Sequence, residues 1–128
     1  TNDVSKTKIG QAQYNAIVNE HGGTIDDLII FKLDEEGYLV TPNASNSDKV
    51  FQWMEKHLTG DVVLENRSED IGLLALQGPN AERILQKLAN DDLSKLKPFH
   101  FFQHVELNDL SPVLISRTGY TGEDGFEV

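Results

Sequence analysis

The chain has 128 residues, 38% of them hydrophobic, enough for one modest globular core or portions of two. Its 11 Lys and Arg against 21 Asp and Glu give a formal charge of −10, which repels phosphate backbones and anionic membrane surfaces and argues against nucleic acid as a partner. With no cysteine there is no disulfide framework, thiolate zinc site or cysteine nucleophile, which fits the cytosol. The absence of a long apolar run and of a basic-then-apolar start leads us to expect neither a membrane span nor a signal peptide. The start at Thr1 and the stop at Val128, just inside an apparent strand, read as the boundaries of an excised piece.

Residues 1–10 are polar and read as a connector. Ala12 to Asn19 alternates, with Ala12, Tyr14, Ala16 and Val18 on the apolar side, and Thr24 to Leu33 alternates again. Glu20-His21-Gly22-Gly23 between them reads as the loop of an antiparallel hairpin. One face of the second strand carries Ile25, Asp27, Ile29, Phe31 and Leu33, and the other carries Asp26, Leu28, Ile30 and Lys32. Pairing Asn19 with Thr24 sets Val18 opposite Ile25, Ala16 opposite Asp27 and Tyr14 opposite Ile29. Tyr14 then lies diagonal to Asp27, roughly 7 Å away on one face. A carboxylate in an apolar row needs a polar partner if it is buried. Two readings stand: Asp27 belongs to a site, with small Ala16 leaving it room, or it is hydrated at the open end of the hairpin while Gly22 and Gly23 supply turn geometry. Spacing alone favours the second.

Asp34-Glu35-Glu36-Gly37 turns the chain into a short third strand, Tyr38 to Thr41. Asn46 offers an N-cap to an amphipathic helix in which Val50, Met54 and Leu58 recur at i, i+4 and i+8, flanked by Phe51 and Trp53 and ended by Gly60. Val62-Val63-Leu64 reads as a brief strand, and the polar stretch Asn66 to Asp70 as a boundary. This divides the chain into residues 1–66, a partial α+β subdomain carrying the acid hairpin, and 67–128, a second one carrying a Gly-rich loop. Ile71 to Gln77 is apolar on both faces and predicts a buried central strand. Pro79 suits a first helical turn, and Ala81, Ile84, Leu85 and Leu88 mark one helical face. Asp91 to Leu96 predicts a helical turn, and Phe99 to Leu107 and Val113 to Thr118 predict strands. The fold class is α+β, antiparallel sheets with packed helices.

Among the four histidines only His100 and His104 are close, and four residues along a strand separate them by some 13 Å, too far for one metal. The terminal loop Gly119-Tyr120-Thr121-Gly122-Glu123-Asp124-Gly125 lacks the helix of a dinucleotide fingerprint, the Lys of a phosphate loop and the alternating acids of a calcium loop. Its plain reading is a hairpin turn. The alternative is a site for a flat polar ring, with Tyr120 for stacking and Glu127 as an acceptor for an amino-substituted heterocycle.

The run Ser116-Arg117-Thr118-Gly119-Tyr120-Thr121-Gly122-Glu123-Asp124-Gly125-Phe126-Glu127 resembles the signature of aminomethyltransferase, the T-protein of the glycine cleavage system. Thr1 to Val4, Gly22 to Leu28, Asn43-Ala44-Ser45-Asn46 and Ala75-Leu76-Gln77-Gly78-Pro79 resemble further blocks of that family in the same order, so nearly the whole chain is covered, as an internal fragment with both an N-terminal and a long C-terminal part missing. The resemblance implies part of the folate-binding region of that fold. It also implies transfer of an aminomethyl group from the dihydrolipoyl arm of H-protein to tetrahydrofolate, the co-substrate, giving methylenetetrahydrofolate and ammonia without a metal. The family's essential acid falls on Asp27 rather than Asp26. Tyr14 and Tyr120 match aromatics lining the folate site, and Glu127 matches the acid that pairs with the pterin ring. Phe31 and Phe99 stand where relatives carry Tyr, so neither counts as a polar contact. The rivals are folate-binding relatives without this activity, namely an iron-sulfur assembly factor or the folate domain of a demethylating oxidase, and a plain acidic interaction domain. A bacterial cytoplasm is expected rather than a mitochondrion, and free strand edges predict self-association of the piece.

Overall fold

The computed structural model describes residues 1–128 apart from the side chain of Ser111. Two antiparallel sheets form it. The first has the order β1-β2-β3, with β1 spanning Ala12–Val18, β2 Thr24–Lys32 and β3 Tyr38–Pro42. In it Tyr14 pairs with Ile29 and Ala16 with Asp27, as the alternation predicts. At the loop end the register shifts, so that Val18 faces Thr24 rather than Ile25. The cause is local: the Asn19 side chain accepts the backbone N–H groups of His21 (3.0 Å) and Gly23 (2.8 Å), folding the loop onto the strand end.

The two faces of β2 serve different neighbours. Helix α1 (Ser47–Lys56) lies against β2 and β3, and Met54 lines one cleft with Leu28, Ile30 and Val40. Val50, 2% exposed, is its buried anchor, a burial worth about 1.5–3 kcal/mol. The opposite face carries Ile29 and Phe31 into a cluster with Ala12 and Phe101, where the rings of Phe31 and Phe101 meet edge to face at 5.4 Å. The helix stops at Lys56, earlier than Gly60. His57 closes it, its ring 4.1 Å from that of Trp53 and its Nδ1–H donating to the Trp53 carbonyl at 2.7 Å.

The second sheet has the order β4-β7-β6-β5, from β4 (Ala75–Gln77), β5 (Phe101–Leu107), β6 (Leu110–Ser116) and β7 (Gly125–Glu127). Strands β5 and β6 are joined by the two-residue turn Asn108-Asp109, with Asn108 at φ 46°, the left-handed conformation such a hairpin demands. The short helix α2 (Ala81–Leu85) contacts β7 and β4, and its buried residues Ala81 and Leu85 join Leu93, Val105, Ile115 and Phe126 in the larger core. The sheets are stitched by backbone bonds from Ala12 N–H to the Phe99 carbonyl (2.8 Å) and from Phe101 N–H to the Gly10 carbonyl (3.0 Å). The fold class is α+β, as the patterning implies.

Three expectations are corrected. Val62 to Leu64 forms no strand. The apolar run from Ile71 is not a central strand: only Ala75–Gln77 pairs, at the sheet edge, and Leu74 is 75% exposed. Next to this strand Leu74 and Val128 exchange reciprocal backbone bonds, and Gly78 N–H donates to the Asp124 carbonyl. On α2 the inward positions are Ala81 and Leu85, and Ile84 and Leu88 face outward because the helix is only five residues long and Ala89 turns in behind it.

Candidate active site

The two adjacent acids of β2 are held in opposite environments. Asp26, on the helix-covered face, is 5% exposed. It accepts the backbone N–H of Asn43 (3.0 Å), the Asn43 side-chain amide (2.9 Å) and the Asn46 side-chain amide (2.7 Å). Burial pushes its carboxyl up, but these donors outweigh the burial and hold it below the usual carboxylate range. The argument that a carboxylate on an apolar face needs a polar partner therefore applies to Asp26. Asn46, placed by sequence as a helix cap, makes no capping bond with its side chain and spends it on Asp26 instead.

Asp27 is exposed at the open end of its row, as the simpler reading of the spacing has it, yet it is not loose. Tyr14 Oη donates to its Oδ2 at 2.8 Å and Asn43 Nδ2 donates to its Oδ1 at 3.0 Å. Both oxygens are thus tethered, and their remaining lone pairs face solvent. Accepting the Tyr14 bond lets Asp27 raise the phenol above its ordinary range, with desolvation and charge adding to the effect. The outcome is an oriented, accessible anion, suited to steering an amine, stabilising developing positive charge or taking a proton.

The second group of predicted residues lies at the Gly-rich loop between β6 and β7. Glu127 is 9% exposed, and the Thr118 hydroxyl donates to its Oε2. With that proton committed, Ser116 Oγ, 2.6 Å from Thr118 Oγ1, supplies the next hydrogen, so two buried hydroxyls run in file toward the carboxylate. Tyr120 is 78% exposed, its ring open to a stacking partner. Arg117 is turned inward. It donates to Glu82 (2.8 Å), Asp124 (2.5 Å) and the Leu96 carbonyl (3.0 Å), and its guanidinium lies 5.1 Å from the centre of the Phe126 ring. The Arg117 bond holds the Asp124 carboxyl below its usual range. Phe31 is buried in the core and Phe99 sits at φ 54° on the outside, neither with a polar contact of its side chain.

Tyr14 and Asp27 are therefore brought together, as are Thr118 and Glu127, and among the described residues no hydrogen bond joins the two pairs. The GCVT N-terminal domain family matches residues 1–128. The chain belongs to this family. It is 52% identical to an aminomethyltransferase of Bacillus cereus and 54% identical to one of Bacillus cytotoxicus, in each case over 100% of its length. It spans 35% of the length of those relatives. The crystal structure of the glycine cleavage system aminomethyltransferase T from Bartonella henselae superposes with a TM-score of 0.74 at 36% identity, covering 95% of this chain and 32% of that one.

Within this family domain, the residues that single-sequence reasoning missed are Asn43, Asn46, Ser116 and Thr118, which hold the acids, and Gln77, whose amide donates to the Thr118 and Phe126 carbonyls. The signals were present but faint. Asn43 and Asn46 are two amides three apart directly after a strand, Ser116 and Thr118 are hydroxyls two apart at the end of an apolar strand, and Gln77 is the one polar residue closing an apolar run.

Proposed function

We propose that the full-length protein carrying this chain is an aminomethyltransferase. It hands the aminomethyl group borne on the dihydrolipoyl arm of H-protein to tetrahydrofolate, giving 5,10-methylenetetrahydrofolate and ammonia. The observation that carries the reading is the tethered Asp27 carboxylate, fixed by Tyr14 and Asn43 with its free lone pairs outward, in a chain that matches the family over its whole length. Asp27 approaches the folate nitrogen that attacks the aminomethyl carbon, where a negative charge orients the amine, offsets the positive charge that develops on it and receives or relays the proton it loses. Glu127 and Tyr120 suit the pterin ring: an acid with one oxygen bonded by Thr118 accepts from ring amino and N–H groups, and an exposed phenol face stacks on a flat heterocycle. Tetrahydrofolate enters as co-substrate.

The folate-binding relatives without this activity are not favoured, because the named relatives at 52% and 54% identity are aminomethyltransferases. The bacterial source of these relatives supports a bacterial setting, with the cytoplasm as its proposed compartment. Among the described residues no helix is long and apolar enough to cross a membrane. The isolated chain neither catalyses the transfer nor binds folate tightly, since a pocket for a flat ring needs walls on both sides and this chain is 35% of the relatives' length. The test is a coupled assay of the full-length protein with aminomethylated H-protein, following methylenetetrahydrofolate and ammonia. Ammonia release that is independent of added tetrahydrofolate would refute the folate role.

A further inference from the structure

We infer that Gln77 is the positioning residue of the Gly-rich loop: its side-chain amide occupies the space left open by Gly119 and Gly125 and pins the backbone at Thr118 and at Phe126, the residue before Glu127. The ligand part of this inference rests on the proposed reading of Glu127; the packing part does not.

Gln77 ends β4 directly opposite Gly125 of β7. Its Nε2 donates to the Phe126 carbonyl at 3.1 Å and to the Thr118 carbonyl at 3.4 Å. One amide thus reaches both ends of the loop, 41 and 49 residues away, and holds the backbone of Thr118 itself and of Phe126, the residue before Glu127. The amide orientation follows from chemistry, since a flipped group would set an oxygen against two carbonyl oxygens.

The glycines explain themselves only through this residue. A Cβ at Gly119 would lie 2.7 Å from Cδ of Gln77, and one at Gly125 would lie 2.5 Å from the same atom. Neither glycine has the positive φ that would call for it, whereas Gly122, at φ +79° with open space around it, is needed for its backbone conformation. Gly119 and Gly125 are therefore glycines of close approach. The amide they admit cannot swing aside without losing both bonds, and its Oε1 is buried without a partner among the described residues. That uncompensated acceptor is unfavourable, and an apolar side chain of similar size would avoid it. What an apolar residue lacks is the pair of N–H groups that fix Thr118 and Phe126.

The experiment is a double-mutant cycle in the full-length enzyme, reading tetrahydrofolate Kd by calorimetry, kcat and KM for folate, and the thermal unfolding midpoint. Gly119→Ala is expected to raise the Kd about tenfold while kcat at saturating folate changes less than about threefold. Gln77→Ala opens space rather than crowding it. In that background Gly119→Ala and Gly125→Ala are expected to add less than about twofold in Kd and little in midpoint. Gln77→Glu, of equal size but without the N–H donors, should weaken folate as Gln77→Ala does. If Gly119→Ala alone fails to fold and the double variant folds, the coupling is shown in its strongest form. Additive effects in both Kd and midpoint, or a Gln77→Ala enzyme with unchanged folate Kd beside a Glu127→Gln enzyme that has lost affinity, would overturn the inference. Coupling in the midpoint together with an unchanged Kd for Glu127→Gln would instead overturn the Glu127 reading and leave the glycine packing standing.

Discussion

The acid hairpin and the Gly-rich loop solve one problem, holding a carboxylate in place, by different physics. In the hairpin the strand ladder already sets position: the register that pairs Ala16 with Asp27 puts Tyr14 within 2.8 Å of it, and Asn43 adds a second tether from a turn 16 residues on. The loop relies on side chains from several elements. Glu127 is held by Thr118, with Ser116 behind it and an amide reaching across from β4 to the Phe126 carbonyl. The hairpin leaves its acid exposed and the loop buries its own, a difference that suits the separate roles proposed for Asp27 and Glu127. A short-range ladder suffices to aim a charge outward, whereas a buried contact needs partners from several elements.

The sharpest break in this comparison comes from Asp27→Asn in the full-length enzyme. The amide keeps the shape and loses the charge, so turnover is expected to fall about a hundredfold or more while folate affinity stays within a few-fold. Steady-state kinetics beside a folate titration check both halves, and a large loss of affinity with intact turnover would assign Asp27 to binding.

Asp26→Asn separates the two adjacent acids. A neutral amide has one acceptor oxygen for the donors of Asn43 and Asn46, so stability is expected to drop by about 2–3 kcal/mol, read as a lower urea midpoint. Turnover per folded molecule should suffer less than in Asp27→Asn. Equal damage to turnover would show that Asn43 transmits one acid's state to the other.

For the loop, Glu127→Gln presents a donor where an acceptor is required and breaks the run of hydroxyls behind it. Calorimetric titration with tetrahydrofolate is expected to show about a tenfold weaker Kd with a smaller change in kcat. An unchanged Kd removes Glu127 from the ligand site.

The smallest effect is the pH dependence that Asp26 imposes. Its carboxyl is lowered in the folded state, so its contribution is fully present above the unfolded value of about 3.9 and is lost as pH falls through the folded value. Urea midpoints measured downward from about pH 5 should decline more steeply in the wild type than in Asp26→Asn, where this titration is absent. Parallel slopes would place the acid sensitivity at other carboxyls held below their usual range, such as Asp124 beside Arg117.

Local pattern alone determined a good deal: the hairpin and the Tyr14–Asp27 diagonal follow from period two, the third strand and the helix from their own spacing, and the terminal signature from twelve consecutive residues. These are short-range regularities, and a chain displays them without knowing its neighbours. What pattern could not reach is which surface covers which. Ile71 to Leu74 is as apolar as Leu28 to Phe31, yet Ile71, Leu73 and Leu74 are exposed and the second run is packed between α1 and the Phe101 cluster. Likewise the alternation placed Asp26 and Asp27 on opposite faces but could not say that the helix covers the Asp26 face and makes that acid the buried one. Only tertiary structure brings Asn43 to Asp26 and Gln77 to Thr118 and Phe126. A side-chain amide finds its acceptor by the path of the whole chain, and no periodicity records that path.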